Sequence, residues 1–459
     1  RIAEVHSSRV YTPTPLGRFW ATDTREQRRV MLHVPIAGDI SRVSADFLFS
    51  EAPSCRIPEA HEENAPADAK TTQERLDEII EQSGLVNRLL NAADNASALG
   101  GVFLKVNWDT DLADFPILSI AQADAALPDF KWGILRAVTF FRTLEDNGNN
   151  VVRHLEHHEI GPGGKAVIIN EVRKGTTNML GNVVPLEAYL PGVDEVVETP
   201  IEGLDVRYVP NMMPNRKRRS SYPYLGASDY LGQEGFMDAL DEVWTSWLRD
   251  IRLARARLIV PREYLERSDD GKFLFDVDKE IYVGMEMAPG SERNITPSQF
   301  NIRTEEHLKA AMTYMERIIS GAGYSPQSFG LRIEGRAESG TALRLRERSS
   351  FVTTSKKQKY WAGNLADMLE MLLVVDRAVF NSGLTVYRPA VEFGDSVAPD
   401  LSEIAESVER LHRAEAASVE TKVRMLHPDW DTDQIKAEVQ RVMEEQGLAM
   451  PDPVQQRIE

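Results

Sequence analysis

The 459-residue chain has one cysteine, Cys55, which excludes an intrachain disulfide framework and any cysteine-cluster zinc site. Such a chain suits a reducing compartment. Long apolar runs are also missing. A membrane helix needs about 18 to 20 consecutive apolar residues, and the richest run, Met368 to Val375, is too short. Positive charge is scarce: 53 Lys and Arg face 71 Asp and Glu, a net charge of −18. That balance argues against a general nucleic-acid binder covered in basic residues. No internal repeat or low-complexity tract is present, which sets aside solenoids and propellers. The first residue is Arg1, so a native start upstream of it is expected and a leader segment is left open.

What remains is ordinary for a folded protein of two to four domains, with 42% hydrophobic and 27% charged residues. The spacing of Ile36, Ile40, Val43 and Phe47 predicts a helix over Met31 to Glu51, and a second is expected from Thr72 to Ala98. Residues 55–72 read as a loop. Short extended segments follow (102–108, 117–121, 132–144, 151–160, 165–172), divided by turns such as Asp146-Asn147-Gly148. They predict an antiparallel meander, so the expected class is α+β.

The helical period returns over Gln233 to Val260, with Phe236, Leu240, Val243, Trp244, Trp247 and Ile251 on one stripe. Acids open that helix, and Arg249, Arg252, Arg255 and Arg257 close it, which suits its dipole. Trp244 and Trp247 are expected to pack rather than to carry chemistry. A small β-rich excursion leads to a helix starting at Thr304, and a long helix is expected from about Thr341 to Asn381. A strand-like piece, Leu384 to Phe393, precedes two acidic helices, roughly 401–424 and 431–446.

Signatures of catalysis are absent. His154, Glu156 and His158 would share one strand face, but their spacing matches no dedicated ligand motif, and a solvent-facing strand is expected. Gly161-Pro162-Gly163-Gly164-Lys165 lacks the phosphate-loop spacing and reads as a hairpin turn. No GxSxG elbow occurs, and Cys55 has no evident activating partner. No catalytic residue, metal or cofactor is therefore expected.

The order of elements is helix, small β module, helix, Gly-rich loop, long helix and acidic helical tail. It resembles the portal proteins of long-tailed double-stranded DNA bacteriophages. Val209-Pro210-Asn211 followed by Gly226-Ala227-Ser228-Asp229-Tyr230 is similar to that family's approach to its first stem helix. Ser320-Gly321-Ala322-Gly323, Phe329-Gly330 and Ser339-Gly340-Thr341-Ala342-Leu343-Arg344 are similar to its tunnel-loop signature. Leu32, Pro35-Ile36-Ala37 and Phe47-Leu48-Phe49 resemble its N-terminal helix, and His154-Leu155-Glu156 its wing strand.

The resemblance implies a portal fold: wing (1–230), stem helix (231–261), clip (262–303), second stem helix (304–322), tunnel-loop region (323–340), wing again (341–400) and crown (401–459). It also implies a ring, usually of twelve subunits, at one capsid vertex of the virion, made in the host bacterial cytoplasm. Its partners would be double-stranded DNA in the channel, the large terminase, head-tail connector or adaptor proteins and the major capsid protein. Neither a membrane nor an enzymatic activity of its own is implied.

Within that expectation the charge pattern singles out one region. Residues 331–360 carry eight bases against three acids, in a chain that is acidic overall. Arg332 and Arg336, with Glu334 and Glu338, fall in the loop and are candidates for the channel wall. A second reading has these arginines paired with acids of a neighbouring subunit. Arg344, Arg346, Arg348, Lys356 and Lys357 are candidate DNA or intersubunit contacts. In the clip, Phe273, Phe275, Tyr282 and Met285 are expected to pack against neighbours, because a module this small cannot bury a core alone. The rival readings are a DNA-processing or nucleotide-hydrolysing enzyme with an unrecognised site, and another ring-forming virion connector.

Overall fold

The computed structural model describes residues 32–62, 65–216, 224–254, 302–331, 340–394, 401–427, 430 and 432–445, with short strand segments between 257 and 298. The chain divides into two compact units: Arg1–Gly335 with Leu345–Phe393, and Arg336–Arg344 with Gly394–Glu459. The expected α+β class is the one observed.

In the first unit, α1 (Ile36–Phe49) starts after Pro35 and buries Ile36, Ile40, Leu48 and Phe49 along one face. Strand β1 (Ser54–Arg56) falls in the stretch expected to be a loop. The single helix expected from Thr72 to Ala98 is two, α2 (Ala67–Gln82) and α3 (Leu85–Leu99). Gly84, at φ 60°, divides them in the left-handed region, which a helical residue does not visit.

The meander is present and longer than expected. It comprises β2 (Gly101–Asn107), β3 (Ile117–Gln122), β4 (Ala126–Lys131), β5 (Ile134–Asp146), β6 (Val151–Ile160), β7 (Lys165–Thr176), β8 (Met179–Val184), β9 (Val196–Glu202) and β10 (Val206–Pro210). They form two antiparallel sheets, β10-β2-β3 and β4-β5-β6-β7-β8, with β9 also paired to β7. Trp132 and Gly133 link β4 to β5 with φ of 53° and 86°. Two positive values in a two-residue loop suit the twist of the flanking strands. Phe103, Val138, Phe140, Val206 and Tyr208 pack between the two sheets.

Next come α4 (Glu234–Leu253), β11 (Arg257–Ile259), β12 (Glu266–Arg267), β13 (Phe273–Leu274), β14 (Thr296–Ser298), α5 (Thr304–Gly321) and α6 (Gly340–Val379). Trp247 near the end of α4 stacks on His307 near the start of α5, while Phe236 near the start of α4 meets Tyr314. The two helices therefore run antiparallel. β11 pairs with β14 between them. Within residues 384–393 only β15 (Ala390–Glu392) is a strand, and it pairs with β1.

The largest core lies under α2, α3 and the second half of α6, where Leu76, Leu89, Trp361, Leu365 and Leu372 are buried together. Each such side chain contributes about 1.5–3 kcal/mol relative to exposure. Another core joins α1, the end of α3, α4 and α5 through Ile40, Leu99, Leu240 and Ile319. The second unit holds α7 (Leu401–Arg413), α8 (Val419–Leu426) and α9 (Thr432–Glu445), where two helices were expected. Glu415, at φ 51°, breaks the first of them, and Ser418 caps α8 by accepting from the Thr421 amide at 3.2 Å. Among the described residues no helix is long and apolar enough to cross a membrane.

Candidate functional site

Two of the segments that carry the resemblance, at Asn211 and at Gly226 to Tyr230, meet at Asp229. After β10, Asn211 sits where its amide N–H donates to the Gly100 carbonyl at 3.0 Å. Its side chain donates to the Ala227 carbonyl at 3.0 Å and to Asp229 Oδ1 at 2.7 Å. Gly226 lies so close to Gly100 that an added Cβ would fall on the Gly100 carbonyl oxygen. The motif needs glycine there because the two backbones touch. The Gly226 amide donates to the Tyr208 hydroxyl at 2.8 Å, whose pKa burial pushes up to about 12.

On its other oxygen, Oδ2, Asp229 accepts from Ser97 Oγ at 2.6 Å, from the Tyr324 hydroxyl at 3.2 Å and from Lys357 Nζ at 2.5 Å. Lys357 Nζ also donates to Ser44 Oγ at 2.6 Å and to the Tyr324 hydroxyl at 2.9 Å. All three ammonium hydrogens thus have acceptors. Burial holds the Lys357 pKa below the ordinary lysine value, against the pull of Asp229. Burial, then the Asp229 charge, raises that of Tyr324 well above the tyrosine value. With every donor and acceptor engaged inside the chain, this arrangement fastens elements together. It ties α1, α3, the segment before α4, the turn after α5 and α6.

Lys357 was expected to face DNA or a neighbouring subunit. It is 1% exposed and faces inward. The reason is helical period: Ser350, Thr353, Thr354, Lys357 and Trp361 share the buried face of α6. Arg348, Lys356 and Lys359 are exposed on the other side. Arg344 and Arg346 belong to α6, but their side chains lie outside the description. Sequence reasoning missed Ser44, Ser97 and Tyr324. The available signal was small polar residues at inward helix positions, with a lysine one turn before Trp361.

The turn after α5 is bound to the same face of α6. The Ser325 amide donates to Ser350 Oγ at 2.9 Å, and Thr353 Oγ1 donates to the Gly323 carbonyl at 2.7 Å. Phe47 stacks on Tyr324. Arg332, Glu334, Arg336 and Glu338 lie outside the described residues, between Leu331 and the start of α6 at Gly340. Of the residues expected to form a clip, Phe273 falls in β13 by backbone alone, while Phe275, Tyr282 and Met285 lie outside the described residues.

A second polar cluster overturns the solvent-facing reading of β6. His154 and His158 are 5% and 0% exposed: His154 Nε2 lies 3.0 Å from Asn170 Oδ1 on β7, and His158 faces Asp205, just ahead of β10 of the three-stranded sheet. His158 Nδ1 lies 2.8 Å from Asp205 Oδ2, and its Nε2 lies 2.8 Å from Glu156 Oε1. Lys105 Nζ donates to Glu156 at 2.6 Å. Burial alone would lower the His158 pKa, yet Asp205 and Glu156 outweigh it and leave it raised. Burial would raise Glu156, but the hydrogen bond with His158 and the Lys105 charge pull it down to about 2. Asp205, ahead of β10, gave no signal in the sequence. Among the described residues no group of three or more His, Cys, Asp or Glu is placed to hold a metal ion.

The tryptophans of α4 pack as expected. Trp244 and Trp247 have ring centroids 5.2 Å apart, and Trp247 stacks on His307 at 6.1 Å. Asp250 accepts from His307 at 2.9 Å and from Arg303 at 2.9 Å, closing the far end of the helix pair. These two hydrogen bonds hold the Asp250 carboxyl below its usual range.

No protein-family profile matches the chain, and no curated protein matches it. Among solved structures, a chain from the "Neck of empty GTA particle computed with C6 symmetry" is similar over 86% of this chain and 90% of that one, at 10% identity and a TM-score of 0.44.

Proposed function

We propose that the chain is one subunit of a phage portal, a ring at one capsid vertex that admits DNA during packaging, retains it and releases it on ejection. The ring would also join head to tail. One observation carries this reading. Two segments that separately resemble portal proteins, Asn211 and Gly226 to Tyr230, meet at Asp229, and Tyr324, which follows a third (Ser320 to Gly323), bonds to the same carboxylate and stacks with Phe47 of a fourth. From that point the antiparallel pair α4–α5 departs, with a small β module between its ends.

Such a channel must not grip DNA, since each neutralised phosphate releases counterions and adds affinity. An acidic subunit repels the duplex, and a few bases are enough to guide it. Arg332 and Arg336 would line the narrowest part. Arg348 and Lys356, exposed on α6, would meet DNA or the next subunit. In the virion the ring of twelve would contact the large terminase during packaging, then a head-tail connector, with the major capsid protein around it. No cofactor or catalytic step belongs to the chain itself.

The test is Arg332→Ala/Arg336→Ala in a packaging assay. Rings should still form, while packaged length or DNA retention falls. Unchanged packaging and retention would remove the loop from the channel. ATP turnover by the purified chain alone would favour a nucleotide-hydrolysing enzyme instead.

A further inference from the structure

Among the described residues the six-stranded sheet has two free edges, β4 on one side and β8 with β9 on the other. A free edge invites another chain, and proteins ordinarily guard it with charge, proline or a cover. β4 carries Pro128, Asp129 and Lys131. β8 reads Met179-Leu180-Gly181-Asn182-Val183-Val184, with neither charge nor proline. Met179 is 69% exposed, and Leu180 and Val183 are exposed beside it. The fold therefore leaves one apolar edge unguarded.

The opposite edge ends in an unusual hairpin. Trp132 is 86% exposed at its tip, with Ile134 exposed beside it and Leu127 exposed further along β4. Its φ of 53° puts a bulky aromatic where glycine or asparagine ordinarily sits. Lys131 Nζ lies 4.7 Å from the indole centroid and steadies the ring. A large aromatic displayed on a stiff turn is what interface anchors are made of.

Charge distinguishes the edges further. Residues 179–202 contain Glu187, Asp194, Glu195, Glu198 and Glu202 and no base. Residues 126–136 contain Lys131 and Arg136 against Asp129. One edge is acidic and apolar, the other slightly basic and aromatic.

We propose that the Trp132 hairpin of one subunit docks on the β8–β9 edge of the next. The inference rests on the ring reading above and names its contact. A closed ring is built head to tail, so each subunit must present two different patches that fit each other. The two edges of this sheet supply such a pair. A two-fold dimer would instead need one patch that fits itself.

The experiment uses the full chain carrying Trp132→Cys, Leu180→Cys or both, treated with a short bismaleimide. Both positions are exposed, so folding is not at stake. The double variant should give a covalent ladder. Co-expressed single variants should give dimers and nothing larger, and each single variant alone should give none. Trp132→Ala should raise the concentration at which the assembly dissociates by about tenfold or more. Rings of full mass without these links overturn the contact and leave the ring reading standing. Links within one single variant also overturn it, since they mark a two-fold contact. An unaltered chain that stays monomeric overturns both.

Discussion

Lys357 and Asp229, 128 residues apart in sequence, form a fully buried ion pair with Nζ 2.5 Å from Oδ2. Neither reaches solvent, and each is completed by neutral hydroxyls or amides from other elements. Removing one partner strands the other in a medium that cannot solvate it. Lys357→Met should therefore destabilise the first unit by about 3–5 kcal/mol, read from denaturant midpoints. Asp229→Asn/Lys357→Met should recover a large part of that loss. A Lys357→Met protein as stable as the parent would show that the pair does not hold these elements together.

The glycines of the first unit should rank by what their missing Cβ would meet. Gly84→Ala meets nothing within 4 Å and pays only for its left-handed backbone, about 1–2 kcal/mol. Gly226→Ala strikes the Gly100 carbonyl and should cost at least twice as much. Equal losses in thermal melts would mean that the close backbone approach can relax freely.

The joint between the two sheets should depend on pH at both ends of the range. His158 has a raised pKa in the folded chain, so its contribution is complete below the ordinary value of 6.5 and fades as pH rises through the folded value. Glu156 is shifted down from 4.5 to about 2, so its contribution is present above 4.5 and fades as pH falls toward 2. The charged groups facing this pair are Asp205 and Lys105. Stability measured across pH should therefore decline on both flanks, and His158→Gln should flatten the alkaline one. An unchanged alkaline slope in that variant would place the proton elsewhere.

Cys55 should be inert in the native protein. Burial, with the Asp77 charge adding to it, pushes its thiol up to about 12. Near pH 8 the thiolate is then roughly one part in ten thousand, and maleimide labelling should be slow until the chain is unfolded. Fast labelling of the folded chain would contradict the packing of the half-buried Cys55 against the largest core.

Much of the architecture was legible in the sequence, because amphipathic period and turn chemistry act locally. The helix over 36–49, the alternating strands from 102 to 172 and the acidic start of α4 all follow from neighbours in sequence. Gly84 could have been read as a helix break, yet a lone glycine inside a helical period is often tolerated. The polar clusters were less legible. Lys357 reads as a surface base until the face of α6 it shares with Trp361 is known, and the β6 histidines read as exposed until Asn170 and Asp205 are brought against them. Asp205, Ser44 and Ser97 take their roles from residues far away in the chain, which no local pattern encodes.

The claim that organises all of this is that the chain works as a closed ring. Native mass spectrometry of the purified protein tests it most directly. A 51.6 kDa chain in a ring of twelve should appear near 619 kDa, with one more subunit as the nearest alternative. A mass in that range is the predicted result, and a stable monomer or dimer at every concentration would contradict it.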